Sequence, residues 1–423
     1  MIHQVFLPEI TRKRLTDVVA LQLLLLTYAG TRDSLNEASC TTYLDRCARF
    51  RGRGTQIAAW IWRAPRRYKP LEKFAQGPAA HKLGWCKHIT QEALAFLQHP
   101  IGHINTHVRR TASPWERAGA DFLRRFYVDL CSPAGLPGYI FCEPVTGSFG
   151  RQDLLAAFKE ANHHLHICAV CDETGYQTML DGHIYAELDH YLPESMYPHL
   201  ACHPFNLIPI CHYCNAMIKG KANPLQGSSR NRLSVENIFL PYREPGLGSR
   251  TYLHVRLGAP LTEAEFGELR PREEINLSSR LDGFRRVYKI PDRWGQRVDQ
   301  IGPQLLKRIR EFLRGFAVTA LNARSLVNEL DDLLYSIHQD QGSEPFACAK
   351  MWWLAALIND EVEPATRRRQ HASGPISPLL EEIGAMLRLD RRASGHRPRG
   401  PVHMSSARLE TARHLRSLLR SAG

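Results

Sequence analysis

Two cysteine pairs, Cys168-x-x-Cys171 and Cys211-x-x-Cys214, are the residues whose type and spacing carry the plainest chemistry in the chain. Each pair can set two thiolates on one knuckle, and two knuckles complete the tetrahedral sulfur cage that zinc prefers. A closed four-thiolate site offers substrate no coordination position, so a Zn2+ held there is structural and contributes directly to folding. His163, His164, His166 and Cys202 are substitute ligands by type, although ordinary surface or core roles account for each. Eleven cysteines is an odd number, and C-x-x-C pairs suit metal binding in a reducing compartment, the cytoplasm, better than a secreted disulfide framework.

The segment enclosed by the knuckles reads Glu187-Leu188-Asp189-His190-Tyr191-Leu192-Pro193, then Tyr197-Pro198, then Phe205-Asn206-Leu207-Ile208-Pro209; Asn215 directly follows Cys214, with Lys219 and Lys221 close behind. By the order and spacing of these elements together, residues 168–221 resemble the HNH endonuclease family, and most of all its zinc-stapled branch. The resemblance implies a ββα-metal fold, in which a hairpin followed by a helix grips one divalent ion. It also implies roles. Asp189 and Asn215 would hold a catalytic Mg2+ or Mn2+, and His190 would take a proton from the attacking water. Asn206 would orient that imidazole through its side-chain amide or a backbone contact, and Lys219 and Lys221 would meet phosphate.

The residue types suit those roles. An imidazole with an unperturbed pKa near 6.5 is partly neutral and ready to accept a proton at physiological pH. Asp and Asn oxygens suit a hard ion such as Mg2+, which stabilises charge on a scissile phosphate. Asp189 and His190 fall at the end of a strand such as Ile184–Asp189, where period-two alternation points their side chains in opposite directions. Two departures from the commoner pattern stand out. Asn215 occupies the third motif position in place of His. Glu194 stands where a basic residue is frequent, and Lys219 sits one residue later than usual.

A net charge of +13, from 55 Lys+Arg against 42 Asp+Glu, favours a polyanionic partner. The leading expectation is an HNH endonuclease that hydrolyses DNA, most readily the duplex. Proteins of this look often belong to bacterial defence against phage or plasmids, and an ATPase partner or a homo-oligomer is the assembly expected. A non-catalytic zinc-knuckle module that binds nucleic acid or assembles a complex, and an RNA-cleaving nuclease, remain open alternatives.

The elements that must position these residues are mostly helical, and the fold class expected is α+β, mainly α. Residues 1–155 read as a helical N-terminal domain, with apolar stretches at Val18–Leu26, Ile57–Trp62 and Phe122–Leu130. The segment Val18–Gly30 is too short to span a bilayer, which needs about 20 apolar residues, and reads as a buried helix. Residues 156–228 form the zinc-stapled unit and 229–365 a mainly helical C-terminal domain. In the latter, Thr251–Leu257 reads as a strand. Ile301, Leu305, Ile309, Phe312 and Phe316 form one apolar stripe; Leu326, Leu330, Leu333, Leu334 and Ile337 form another. Phe346–Ile358 is apolar nearly all round, as a buried helix would be. Residues 366–423 read as an Arg-rich linker and a basic terminal helix.

Overall fold

A computed structural model describes residues 2–98, 104, 112–143, 145–178, 184–227, 233–249, 251–257, 264–271, 277–313, 323–359, 413 and 416. The expected linker and terminal helix therefore lie outside the described residues, apart from Arg413 and Arg416, as does Phe316. The chain is mainly helical with small two-stranded sheets.

The N-terminal helices are α1 (Glu9–Gly30), α2 (Glu37–Arg46), α3 (Gly54–Trp62), α4 (Pro65–Ala75), α5 (Ala79–Gln98) and α6 (Pro114–Leu130). The apolar stretches read from the sequence fall in α1, α3 and α6, and their side chains build one core. Helix α6 starts sharply because Ser113 and Glu116 form a reciprocal capping box behind Pro114. No described helix is long and apolar enough to cross a membrane. A short hairpin, β1 (Leu136–Pro137) and β2 (Ser148–Phe149), leads into α7 (Arg151–Ala161).

Helix α7 runs across the boundary expected at residue 155. Its Leu154 and Leu155 pack into the N-terminal core, whereas Phe158, one turn on, packs into a second core. This 11-residue helix thus gives side chains to both cores.

The central unit follows the same plan. Strands β3 (Gln177–Thr178) and β4 (Ile184–Tyr185) pair, and β5 (Glu187–His190) pairs antiparallel with β6 (Leu207–Ile210). The single strand expected over Ile184–Asp189 is thus divided at Ala186, each part having its own partner. The β5–β6 ribbon is a wall between the cores. Leu188 and Leu207 face the N-terminal core, and Ile208 and Ile210 face the other, as the two-residue period of a strand demands. The 156–228 unit is therefore shared by its neighbours and does not stand apart.

Beyond it, β7 (Thr251–Leu257) pairs with β8 (Ala264–Pro271), and helices α8 (Leu277–Tyr288), α9 (Ile290–Gly295), α10 (Val298–Leu313), α11 (Ala323–Gln339) and α12 (Ala347–Leu357) complete the second core. The strand and both amphipathic helices agree with the sequence expectation. Every residue of α12 is buried, Trp352 and Trp353 included.

Candidate functional site

The four thiols converge as their spacing requires. Cys168, Cys171, Cys211 and Cys214 are buried with their sulfurs all within 4.8 Å of one another. The Cys211 amide donates to Cys168 Sγ at 3.4 Å, the Cys214 amide to Cys211 Sγ at 3.4 Å, and Arg293 to Cys214 Sγ at 3.1 Å. Such donors stabilise sulfur that carries negative charge. Without a cation the cluster cannot ionise evenly. Hydrogen bonding to Cys168 draws the Cys171 thiol down to about 7 and also lowers Cys211, burial raises Cys168, and contact with the other sulfurs raises Cys214. A dication relieves that conflict, so the donor set fits zinc. Cys202 takes no part; it packs in the N-terminal core.

The cage fixes the end of β6 to a seven-residue π-helix, Tyr213–Lys219, whose wide winding is sealed by Gly220 N–H donating to Asn215 O at 2.9 Å. Gly220 then ends the helix at φ +49°, a conformation that glycine adopts without a Cβ penalty.

Alternation along β5 sends the motif pair to opposite sides. His190 faces α6, where its ring meets Tyr127 edge-on with centroids 4.2 Å apart. Its Nε2 lies 3.0 Å from the Ala201 carbonyl and donates to it, which fixes the tautomer and leaves Nδ1 as the acceptor nitrogen. Glu194 places Oε2 3.8 Å from the same Nε2, with its pKa raised by burial against the opposing charge of Arg124. Burial pushes the His190 pKa down to about 4, so the ring is neutral at neutral pH.

Asp189 faces the other core and is 3% exposed. Its Oδ1 accepts from Lys219 Nζ at 2.7 Å and its Oδ2 from the Tyr288 hydroxyl at 3.3 Å. Burial raises the Asp189 pKa, and the Lys219 ammonium opposes that rise. Lys219 Nζ also donates to the His190 carbonyl at 2.7 Å.

Two roles read from the sequence are corrected by this geometry. Asn206 does not touch the imidazole. Its Oδ1 accepts from Leu192 N–H, and its amide donates to the carbonyls of Leu192 and Leu200. It therefore closes the 191–206 loop, which carries the Ala201 carbonyl, while its own carbonyl accepts from Tyr191 N–H, next to His190, at 2.9 Å. Lys219, expected on a phosphate-facing surface, is buried against Asp189, because a deep carboxylate in a low-dielectric wall needs a cation. Lys221 is exposed, and Asn215 is half-buried with no hydrogen bond to Asp189 among the described residues.

As donors, Asp189 and Asn215 suit a hard divalent ion. Both oxygens of Asp189 are nevertheless satisfied by Lys219 and Tyr288, so the arrangement fits such an ion only after Lys219 withdraws.

Tyr127, Tyr288, Arg293 and the Ala201 carbonyl are site residues that motif reading missed. Tyr288 is 99 positions from Asp189, and Arg293 is 79 from Cys214, so no local spacing marks them. Comparison with protein-family models, with curated proteins and with solved structures gave no match.

Proposed function

We propose that this chain is an HNH-type endonuclease that hydrolyses phosphodiester bonds in DNA with His190 as general base. The observation that carries the reading is the tautomer of His190. Its Nε2 proton is committed to the Ala201 carbonyl, and its Nδ1 is left as acceptor at the end of a strand braced by a four-thiolate knuckle. The order of parts supports it as well: hairpin β5–β6, then a helix, with the four thiols tying the two together.

Asp189 and Asn215 would hold Mg2+ or Mn2+, which supplies charge stabilisation at phosphate. Lys221, exposed just past the helix, is the residue positioned for phosphate contact, in a chain whose net charge of +13 favours polyanions. The described arrangement is a closed one. Tyr127 covers the base, Lys219 holds the metal-binding carboxylate, and a base with a pKa near 4 is weaker than a general base working at neutral pH should be. Opening of the α6 side would rehydrate His190 and raise its basicity. A nuclease held closed until triggered suits cytoplasmic defence against phage or plasmids, with an ATPase partner or a second copy of the chain as the trigger.

Burial of both His190 and Asp189 favours a second reading, a non-catalytic module that binds nucleic acid. The test is incubation of the full chain with duplex DNA, single-stranded DNA and RNA, each with Mg2+, with Mn2+ and with EDTA. Metal-dependent cutting of duplex DNA is the expected result. Cutting of RNA alone would reassign the substrate, and binding without cutting under every condition would favour the module.

A further inference from the structure

We propose that His3, Asp172 and Cys348 form a second metal site, for Zn2+, that staples the segment before α1 to the knuckle and to α12. The inference does not depend on the nuclease reading. These residues come from three distant parts of the chain, yet an imidazole nitrogen, a carboxylate oxygen and a thiol sulfur lie within 4.8 Å of one another, all buried.

The chain is built to bring them there. Residues 2–4 run through a slot whose wall is glycine. A Cβ at Gly246 would come within 2.4 Å of the Gln4 nitrogen, and one at Gly248 within 3.0 Å of the Ile2 carbonyl and 3.4 Å of Cys348 Sγ. The slot is sewn shut by His3 N–H donating to Ala169 O at 3.0 Å and Gly248 N–H donating to Ile2 O at 2.8 Å. Asp172 directly follows Cys171 and holds a left-handed backbone, φ 58°, and its carboxylate meets His3 and the Cys348 amide. The Cys348 amide, in the first turn of α12, donates to Asp172 Oδ2 at 2.8 Å, so the carboxylate also meets the positive end of that helix. Asp172 Oδ1 lies 2.7 Å from His3 Nε2.

Charge and softness select the ion. A dication with one carboxylate, one thiolate and a neutral imidazole is neutral overall, as a buried site favours, and a water would complete the four-coordinate shell of zinc. A thiolate ligand disfavours Mg2+ and Ca2+, whereas mixed S, N and O donors suit Zn2+. With three protein ligands against four thiolates at the neighbouring cage, this ion should leave first on chelation.

The experiment is zinc counting by mass spectrometry on the full chain, dialysed against Zn2+ and then against buffer, for wild type, Cys348→Ser and His3→Ala. The two variants lie in different parts of the chain, and circular dichroism is recorded for each to check that the fold is kept. The expected result is one zinc equivalent fewer in both variants than in wild type, with unchanged helical signal. Equal zinc in wild type and His3→Ala, at any total, would overturn the proposal and leave His3 and Asp172 as a hydrogen-bonded clamp.

Discussion

Asp189 and Lys219 form a buried ion pair whose partners are about equally inaccessible, and that makes it sensitive to any change in one alone. Removing one partner of such a pair leaves an uncompensated charge and costs about 3 to 5 kcal/mol. Lys219→Met should therefore lower the unfolding free energy measured in urea at pH 7 by an amount of that order. The pH dependence has a definite sign. Burial holds the folded-state pKa of Asp189 above its ordinary value, and loss of Lys219 raises it further. A raised carboxylate pKa means that the folded state binds the proton more readily than the unfolded one, so the penalty grows as pH rises through the unfolded pKa, about 3.9, and fades as pH falls towards it. The gap between wild type and Lys219→Met should narrow from pH 7 to pH 4.5. A gap that widens on acidification would show that the carboxylate is not the buried charge. Opposite placement of Asp189 and His190 was legible in the sequence because strand alternation is purely local. Lys219's burial was not, because a lysine after a helix is ordinarily solvated and nothing nearby in sequence announces the carboxylate 30 positions earlier.

The loop from Tyr191 to Asn206 turns a hairpin into a site. Asn206 supplies three side-chain hydrogen bonds that close the loop on itself, and its own carbonyl accepts from Tyr191 N–H at 2.9 Å. Asn206→Ala leaves a buried Leu192 N–H and the Leu192 carbonyl without partners, each a loss of about 1 to 3 kcal/mol if water cannot enter, whereas the Leu200 carbonyl still accepts from His203 N–H. The expected outcome is a drop in stability of several kcal/mol by denaturant titration, with a lower rate of any cleavage, since the Ala201 carbonyl that orients His190 lies in this loop. Asn206→Asp, which retains the acceptor to Leu192 N–H, should fall between. A near-neutral Asn206→Ala would refute the pinning role. The Asn-Leu pair was visible in the sequence, but its task was not, since an amide can serve an imidazole or a backbone equally and only the distances decide.

Across the whole molecule, the cysteine pairs, the buried α12 and the two amphipathic helices were readable, because spacing and apolar period are sufficient for each. The domain borders were not readable. The composition change near residue 156 marks where the cysteines begin, whereas α7 and the β5–β6 ribbon give one face to each core. A structural zinc contributes about 10 to 16 kcal/mol to folding in small knuckles. Here that ion would brace the wall common to both cores. Calorimetry should show one unfolding transition in the zinc-loaded protein, and a strong chelator should lower it as a whole. Two separate transitions, with only one moved by chelation, would contradict the shared wall.

The nuclease reading depends on one imidazole. Plasmid cleavage by wild type and by His190→Ala, in Mg2+ or Mn2+ and after both proteins are shown to hold equal zinc, tests it most directly. Metal-dependent cutting by wild type that vanishes in the variant is the expected result. Equal cutting by both would contradict it, because the activity would then come from somewhere other than His190.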